Sequence, residues 1–186
     1  MLECHALSKG FGGRPVLDNF SARFDSRRTL LSGPNGRGKT LLLKIIAGAV
    51  TPDSGKVVFV PGAGREVALA SDGLAPPGLL TLAEVLAFEA RHNPVDSELQ
   101  QSLIAELGLE PHLHKTYASL STGTEKKASL LRALTMQSRW LLLDEPFNGL
   151  DAAALPVVER VILADPRPMI LVDHQRRLAV DTEVCL

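Results

Sequence analysis

Residues 33–40 read Gly33-Pro34-Asn35-Gly36-Arg37-Gly38-Lys39-Thr40, which matches the pattern G-x-x-x-x-G-K-[ST]. The motif lies between a short apolar stretch at 28–31 and an amphipathic stretch at 40–49, so a strand–loop–helix unit is predicted. Glycines allow backbone N–H groups to point toward one centre, and the following helix adds the positive end of its dipole. Lys39 supplies a charge for the β and γ phosphates of a nucleotide, and Thr40 supplies a hydroxyl ligand for Mg²⁺. The motif therefore predicts a phosphate-binding loop.

A second apolar stretch ends in two acids, in the order Leu141-Leu142-Leu143-Asp144-Glu145. Sheets of α/β proteins bind their ligands at the carboxyl ends of the strands. Taken alone, such a pair is more often a pair of solvated loop acids. With a phosphate loop upstream, Asp144 is suited to hold Mg²⁺ through water, and Glu145 is suited to polarise an attacking water as a general base.

A third segment, Leu120-Ser121-Thr122-Gly123-Thr124, precedes a helix predicted to begin near Glu125. A serine hydroxyl and a glycine N–H at a helix N-terminus can bind an anion. Judged alone, this pattern is more often a helix cap.

The composition limits the possible classes of protein. The 186 residues include 20 basic and 21 acidic side chains, which argues against a general nucleic-acid binder. Cys4 and Cys185 lie at opposite ends of the chain and are predicted to be reduced thiols. No apolar run reaches the ~18–20 residues that a membrane span requires, and the N-terminus lacks the pattern of a secretory signal. A cytoplasmic protein is therefore expected.

Apolar stretches that alternate with amphipathic ones predict a parallel sheet covered on both faces by helices. Two further strands are predicted in the 56–70 region, on either side of a turn at 61–64. The predicted strands span 2–7, 16–24, 56–60, 66–70, 140–143 and 169–172. The predicted helices span 40–49, 81–90, 97–107 and 125–136.

The phosphate loop, the LSTGT segment, LLLDEP and a downstream histidine follow one another in the order found in the nucleotide-binding subunits of ATP-binding cassette (ABC) transporters. The resemblance covers nearly the whole chain. It implies an α/β fold with a RecA-like P-loop core, a small antiparallel β subdomain built from the N-terminal strands and the 56–70 region, and an inserted helical subdomain. In that reading, residues 1–73 and 136–186 form the core and β subdomain, and residues about 74–135 form the helical subdomain.

The resemblance also implies roles for particular residues. All eight residues of 33–40 would contact the nucleotide. Phe11 matches the aromatic residue that stacks on adenine, although a core phenylalanine in a hairpin is the alternative. Ser121 and Gly123 match the signature residues that contact the γ-phosphate of the ATP on the opposite subunit. Asp151 matches the aspartate at the dimer seam, and His174 matches the switch histidine that contacts the γ-phosphate.

Three positions depart from the family pattern without removing its chemistry. The signature has Thr122 in place of its first glycine and Thr124 in place of its glutamine, but it keeps the serine and the second glycine. Arg37 stands where the family usually has a small residue; its side chain either points outward or alters phosphate or partner contacts. Phosphate contact by the signature remains expected.

The largest departure is a glutamine loop without glutamine. Residues 69–73 align with that loop, so either Asp72 or Ser71 would replace the glutamine. Asp72 is predicted to assist Mg²⁺ binding, although a solvated loop acid is the alternative.

The resemblance implies an ATPase that uses ATP and Mg²⁺, forms a head-to-tail dimer with a second copy or a paralogue, and drives a separate membrane permease at the inner face of the cell membrane. The compact length is similar to small exporter-type ATPases, including the haem-exporter kind of cytochrome c maturation, so export is expected. Two alternatives remain: a non-transport ABC ATPase acting as an assembly or regulatory factor, and an ATP-binding subunit with poor hydrolysis.

Overall fold

The computed structural model describes residues 1–60 and 66–186, so the turn predicted at 61–64 lies outside the described residues. The strands are β1 Leu2–Phe11, β2 Arg14–Phe24, β3 Arg28–Ser32, β4 Ser54–Phe59, β5 Val67–Ala70, β6 Trp140–Asp144, β7 Met169–Val172 and β8 Thr182–Cys185. The α-helices are α1 Lys39–Ala47, α2 Leu82–His92, α3 Ser97–Glu106, α4 Thr122–Thr135 and α5 Ala154–Ala164. Short 3₁₀ turns span Glu110–His112 and Tyr117–Ser119.

The chain divides into two compact units. The first unit comprises Met1–Leu69, Arg139–Asp144 and Pro166–Leu186, and the second comprises Ala70–Ser138 and Glu145–Asp165. The limits of a separate helical subdomain, near 74 and 135, stay a prediction.

The first unit contains two sheets. A five-stranded sheet has the order β5-β6-β7-β3-β8, and β3 pairs in parallel with both β7 and β8, as β6 does with β7. A three-stranded sheet has the order β2-β1-β4, with β1 antiparallel to both neighbours. The predicted α/β fold, with a parallel sheet and a small antiparallel sheet, is confirmed.

The prediction for the 56–70 region was wrong in one respect. Strand β4 joins the antiparallel sheet as expected, but β5 lies at the edge of the five-stranded sheet. The backbone N–H groups of Arg139 and Trp140 donate to the Glu66 carbonyl at 2.9 and 3.2 Å, which ties the start of β5 to the start of β6.

The core of the first unit explains how the phosphate loop is positioned. Every residue of β6 and β7 is buried, as expected for central strands of a sheet covered on both faces. Helix α1 contributes four fully buried side chains to this core, Leu42, Leu43, Ile45 and Ile46.

Cys4 is also buried in this core, and burial raises the pKa of its thiol to about 12, whereas Cys185 is exposed on β8. Both cysteines are free, as predicted.

The second unit is built from helices whose first turns are capped by side chains. Thr81 and Glu84 form a capping box at the start of α2, and Asp96 accepts the Leu99 N–H at the start of α3. The Arg132 guanidinium on α4 pairs with both carboxylate oxygens of Glu89 on α2. This bidentate, largely buried ion pair holds α4 against α2.

Candidate functional site

The phosphate loop joins β3 to α1 and depends on glycine at two positions. Gly38 has φ of 93°, and a Cβ atom there would lie 3.0 Å from Leu17 Cδ2 and 3.1 Å from Val16 Cγ1. Gly33 has φ of 138°, and a Cβ atom there would lie 2.8 Å from the Leu186 carbonyl oxygen. The loop can therefore take this path only with residues that tolerate positive φ and have no side chain.

Lys39 is held inside the loop that precedes it. The residue is 7% exposed, and Nζ donates to the carbonyl oxygens of Gly33 at 2.7 Å and Pro34 at 3.0 Å. Because Gly38 precedes α1, the helix N-terminus has no adjacent side-chain oxygen that competes for its N–H groups. A lysine ammonium, loop amides and a helix N-terminus thus share one short segment, which is the arrangement that favours phosphate oxygens.

Phe11 lies at the end of β1, where the chain turns toward β2. Its side chain is 57% exposed, and Lys9 Nζ lies 5.6 Å from the centre of its ring. The alternative of a core phenylalanine is therefore wrong. An exposed ring face of this kind can stack on a planar base.

Asp144 and Glu145 stand in different backbone conformations. Asp144 is the last residue of β6, is 6% exposed and lies in register with Val172 of β7. Glu145 has φ of 49°, in the left-handed region that non-glycine residues seldom occupy. Asn148 Nδ2 donates to Glu145 Oε2 at 3.2 Å, and the Asn148 N–H donates to the Glu145 carbonyl at the same distance. Strained backbone of this kind is frequent at catalytic residues.

His174 follows β7 and lines a cavity of about 210 Å³. Ser32 and Gly33, at the start of the phosphate loop, line the same cavity, as do Asp173 and Arg176. Within the first unit, the structure therefore brings the predicted switch histidine to the phosphate loop. A role for Asp173 was not predicted, because an acid immediately before a histidine has no sequence pattern that indicates its contacts.

In the second unit, the 121–124 segment forms the start of α4. Ser121 Oγ accepts the Thr124 N–H at 3.3 Å and lies 2.8 Å from Thr124 Oγ1, so the serine is the N-cap. A Cβ atom on Gly123 would lie 3.3 Å from the Gly149 carbonyl oxygen. The structure thus brings Gly123 beside the segment that contains Asp151.

Asp151 is positioned from both sides. Its Oδ2 lies 2.5 Å from Lys127 Nζ on α4, and its Oδ1 accepts the Ala154 N–H at 2.9 Å. The hydrogen bonds from Lys127 and from Ala154 N–H lower the pKa of the Asp151 carboxyl. No local sequence pattern indicates the Lys127 contact, because it joins two residues 24 positions apart.

Asp72 pairs with a lysine that sequence reasoning missed. Its Oδ1 lies 3.1 Å from Lys126 Nζ; Asp72 is 75% exposed, whereas the Lys126 side chain is 4% exposed. Both residues line a cleft of about 220 Å³ together with Tyr117 and Arg132. The other candidate, Ser71, is buried. A role for Asp72 in Mg²⁺ binding stays a prediction. Its ion pair with Lys126 is an alternative role.

The oxygen donors suit Mg²⁺ without forming a protein-only metal cage. Among residues 1–60 and 66–186, no group of three or more His, Cys, Asp and Glu side chains is arranged to hold a metal ion. Mg²⁺ is typically held by one or two carboxylates together with waters and substrate phosphates. The Asp144 carboxylate and the Thr40 hydroxyl fit that donor set. Within the same described residues, no helix has the length and apolar character that a membrane span needs.

Comparison with known proteins gives a consistent result. The sequence profile of the ABC transporter family matches residues 17–148. The chain is 35% identical over 178 residues to the Fe(3+) ions import ATP-binding protein FbpC 2 of Pectobacterium atrosepticum, with 88% of this chain and 51% of that protein covered. It is 31% identical over 174 residues to the taurine import ATP-binding protein TauB of Escherichia coli O6:H1, with 88% and 68% covered. The chain therefore spans about half the length of the first relative.

A solved structure described as the ATP binding subunit of an ABC transporter aligns with the whole of this chain and 85% of its own. The TM-score is 0.83 at 25% identity. Both curated relatives are named importers, so the expected exporter type finds no support in these similarities.

Proposed function

Because the chain belongs to the ABC transporter family, we propose that it is a transporter subunit that hydrolyses ATP to drive a separate membrane permease. The observation that carries this proposal is the phosphate loop, with the buried Lys39 ammonium held at its centre by two loop carbonyls. The names of the curated relatives support import of a small ion or solute as the direction of transport.

Nucleotide binding is assigned to the first unit. The backbone N–H groups of Gly33 and of residues 35–38, together with the Lys39 ammonium, hold the phosphates, since charge-assisted hydrogen bonds to phosphate are strong. Phe11 stacks on the adenine ring. The Thr40 hydroxyl and the Asp144 carboxylate hold Mg²⁺, which neutralises charge on the phosphate oxygens when it is bound.

Hydrolysis is assigned to Glu145 and His174. The Glu145 carboxylate accepts the proton of the attacking water, and its Asn148 contact orients it. His174 approaches the γ-phosphate from the cavity that it lines with Gly33. Positioning and electrostatic stabilisation supply most of the catalysis in phosphoryl transfer, so the placement of these side chains matters more than their number.

A second copy, or a paralogue, completes each site. Ser121 and Gly123 contact the γ-phosphate of the ATP held by the partner, and Asp151 lies at the seam between the two. ATP-driven closure of this pair moves the permease, which holds the chain at the inner face of the cell membrane.

One specific observation favours a second candidate, an ATP-binding subunit with poor hydrolysis. The glutamine of the family is missing, and Asp72, which aligns there, is paired with Lys126. Asp72 is then withdrawn from Mg²⁺, and the loop contributes to packing alone.

The test is ATP turnover by the purified chain at saturating Mg²⁺, with and without membranes from the cells that make it. Steady release of phosphate that is lost in Lys39→Ala supports the proposal. Tight ATP binding without turnover in either condition supports the second candidate. Identification of the integral protein that copurifies from membranes then tests the permease assignment.

A further inference from the structure

Asp173 is a buried acid that the assignment above leaves without a role. It follows the last residue of β7 and immediately precedes His174, and it is 7% exposed. Acids at this degree of burial require hydrogen bonds that compensate for lost hydration. The partners of its carboxylate therefore indicate what the residue does.

Those partners are the backbone of the turn that carries His174. Asp173 Oδ1 accepts the Gln175 N–H at 2.9 Å, and Oδ2 accepts the Arg177 N–H at 2.9 Å. The Arg176 N–H also donates to the Asp173 carbonyl at 3.4 Å. Three successive N–H groups after His174 thus converge on one residue, so the path of the chain on the far side of the histidine is set by Asp173.

The same turn needs such support. Arg176 has φ of 50°, a left-handed conformation that is unfavourable for a residue with a side chain. Its guanidinium pairs with Glu183 on β8 at 2.6 Å, which anchors the far end of the turn. The near end is anchored by the Asp173 carboxylate. Removal of either anchor leaves the strained turn free to relax.

Both Asp173 and His174 line the cavity that also holds Ser32 and Gly33 of the phosphate loop. His174 itself is exposed. The backbone that follows it is held by the Asp173 carboxylate. We propose that Asp173 is a positioning residue that fixes His174 toward the γ-phosphate. This inference rests on the function proposed above and names a further residue of the same site.

The chemistry of the two hydrogen bonds makes the proposal specific for a carboxylate. Both side-chain oxygens of Asp173 accept an N–H group. An asparagine in the same place has one oxygen, and its amide NH₂ would face a backbone donor. Asp173→Asn therefore removes one bond and adds one repulsive contact, with almost no change in volume.

The experiment is a double-variant cycle on ATP turnover. Asp173→Asn is expected to lower kcat about 10-fold with KM for ATP unchanged, and to cause no further loss when His174 is already alanine. Asp181→Asn is the matched control, because Asp181 Oδ2 also accepts a backbone N–H, that of Arg28 at 2.8 Å, but lies away from His174. That control should behave like the unmodified chain in both backgrounds.

Wild-type turnover by Asp173→Asn would overturn the proposal. So would a fall in kcat by the same factor with and without His174. If Asp173→Asn does not fold, Asp173→Thr, whose hydroxyl accepts one N–H, replaces it in both backgrounds and is judged by the same outcomes.

A second readout separates this inference from the proposed function. The ¹H–¹³C imidazole signal of His174, identified among five histidines by its loss in His174→Ala, is recorded without ATP. It should shift and broaden in Asp173→Asn and stay in place in Asp181→Asn. An unmoved signal contradicts the positioning role even if ATP is hydrolysed. A moved signal in a chain without ATPase activity supports the positioning role and removes the proposed function alone.

Discussion

Helices α1 and α4 both begin at glycine-containing segments predicted to meet phosphate, but their N-termini are built differently. Gly38 precedes α1 and has no side chain, so nothing at that position competes with a phosphate for the helix N–H groups. Ser121 precedes α4 and already accepts the Thr124 N–H. The N-terminus of α1 can therefore bind an anion directly. At the N-terminus of α4, an anion must first replace the hydrogen bond from the Thr124 N–H to Ser121.

The cations near the two segments differ in the same way. Lys39 bonds to two carbonyls of its own loop, which are neutral and can be exchanged for phosphate oxygens. On α4, Lys126 and Lys127 are paired with the carboxylates of Asp72 and Asp151. We infer that variants in the phosphate loop remove ATP binding, whereas variants in the second unit change turnover and leave binding almost intact.

The largest expected effect is that of Lys39→Ala. Loss of the ammonium removes the charge-assisted bonds to the phosphates, so ATP affinity should fall about 10²-fold or more and turnover should vanish. Isothermal titration with ATP measures the binding. Lys44→Ala, on the same helix but outside the motif, is the control and should bind normally. Wild-type hydrolysis by Lys39→Ala would remove the phosphate-loop assignment.

Glu145→Gln should separate binding from turnover within one residue. Removal of the general base is expected to lower turnover by about 10²-fold or more, while ATP binding stays. Steady-state phosphate release and ATP titration measure the two properties. Glu159→Gln, a change of the same kind on α5, should affect neither. Unchanged turnover in Glu145→Gln would exclude it as the base.

Ser121→Ala tests the second unit directly. The variant loses a helix cap, which costs about 1 kcal/mol of stability, and it should lower turnover about 10-fold without changing ATP affinity. Asp96→Ala removes the equivalent cap of α3 and should cost similar stability with normal turnover. The stability of both variants is measured by denaturant unfolding. If they are equally stable and turn over ATP equally fast, Ser121 acts only as a helix cap.

The smallest effect is expected for Asp72→Ala, and it decides between two roles. If Asp72 assists Mg²⁺, the variant needs more Mg²⁺ for half-maximal turnover, and Lys126→Met does not. If the ion pair is its role, both variants lower permease-stimulated turnover by a similar factor of about 2–5, consistent with the modest energy of a pair with one exposed partner. Turnover is measured against Mg²⁺ concentration, with and without the permease. Wild-type behaviour of Asp72→Ala in both arms would make it a solvated loop acid.

Much of the fold could be predicted because its central strands are continuously apolar. The segments 141–143 and 169–172 have this character and form the buried strands β6 and β7. Helix α5 was missed because Ala153, the residue before it, offers no side-chain cap. Its buried residues Ala154, Val158, Val161 and Ile162 nevertheless carry the helical spacing that could have revealed it.

The site was less predictable where contacts join distant segments. The phosphate loop and the acids after β6 are local patterns, so the sequence was sufficient to locate them. The Asp72–Lys126 pair joins residues 54 positions apart, and no local pattern indicates it. The contacts of Asp173 depend on a left-handed residue, Arg176, that is not glycine. Such a conformation is set by tertiary anchors and not by local propensity.

In the proposed dimer, a phosphate loop in one copy and a 121–123 segment in the other enclose one ATP. The most direct test is the molar mass of Glu145→Gln by light scattering, with and without Mg-ATP, since this variant should hold ATP without hydrolysing it. We predict a change from one chain of 20.0 kDa to about twice that mass, abolished when Ser121 is also replaced by arginine. A molar mass that stays at that of one chain, while titration shows bound ATP, would contradict this two-copy arrangement.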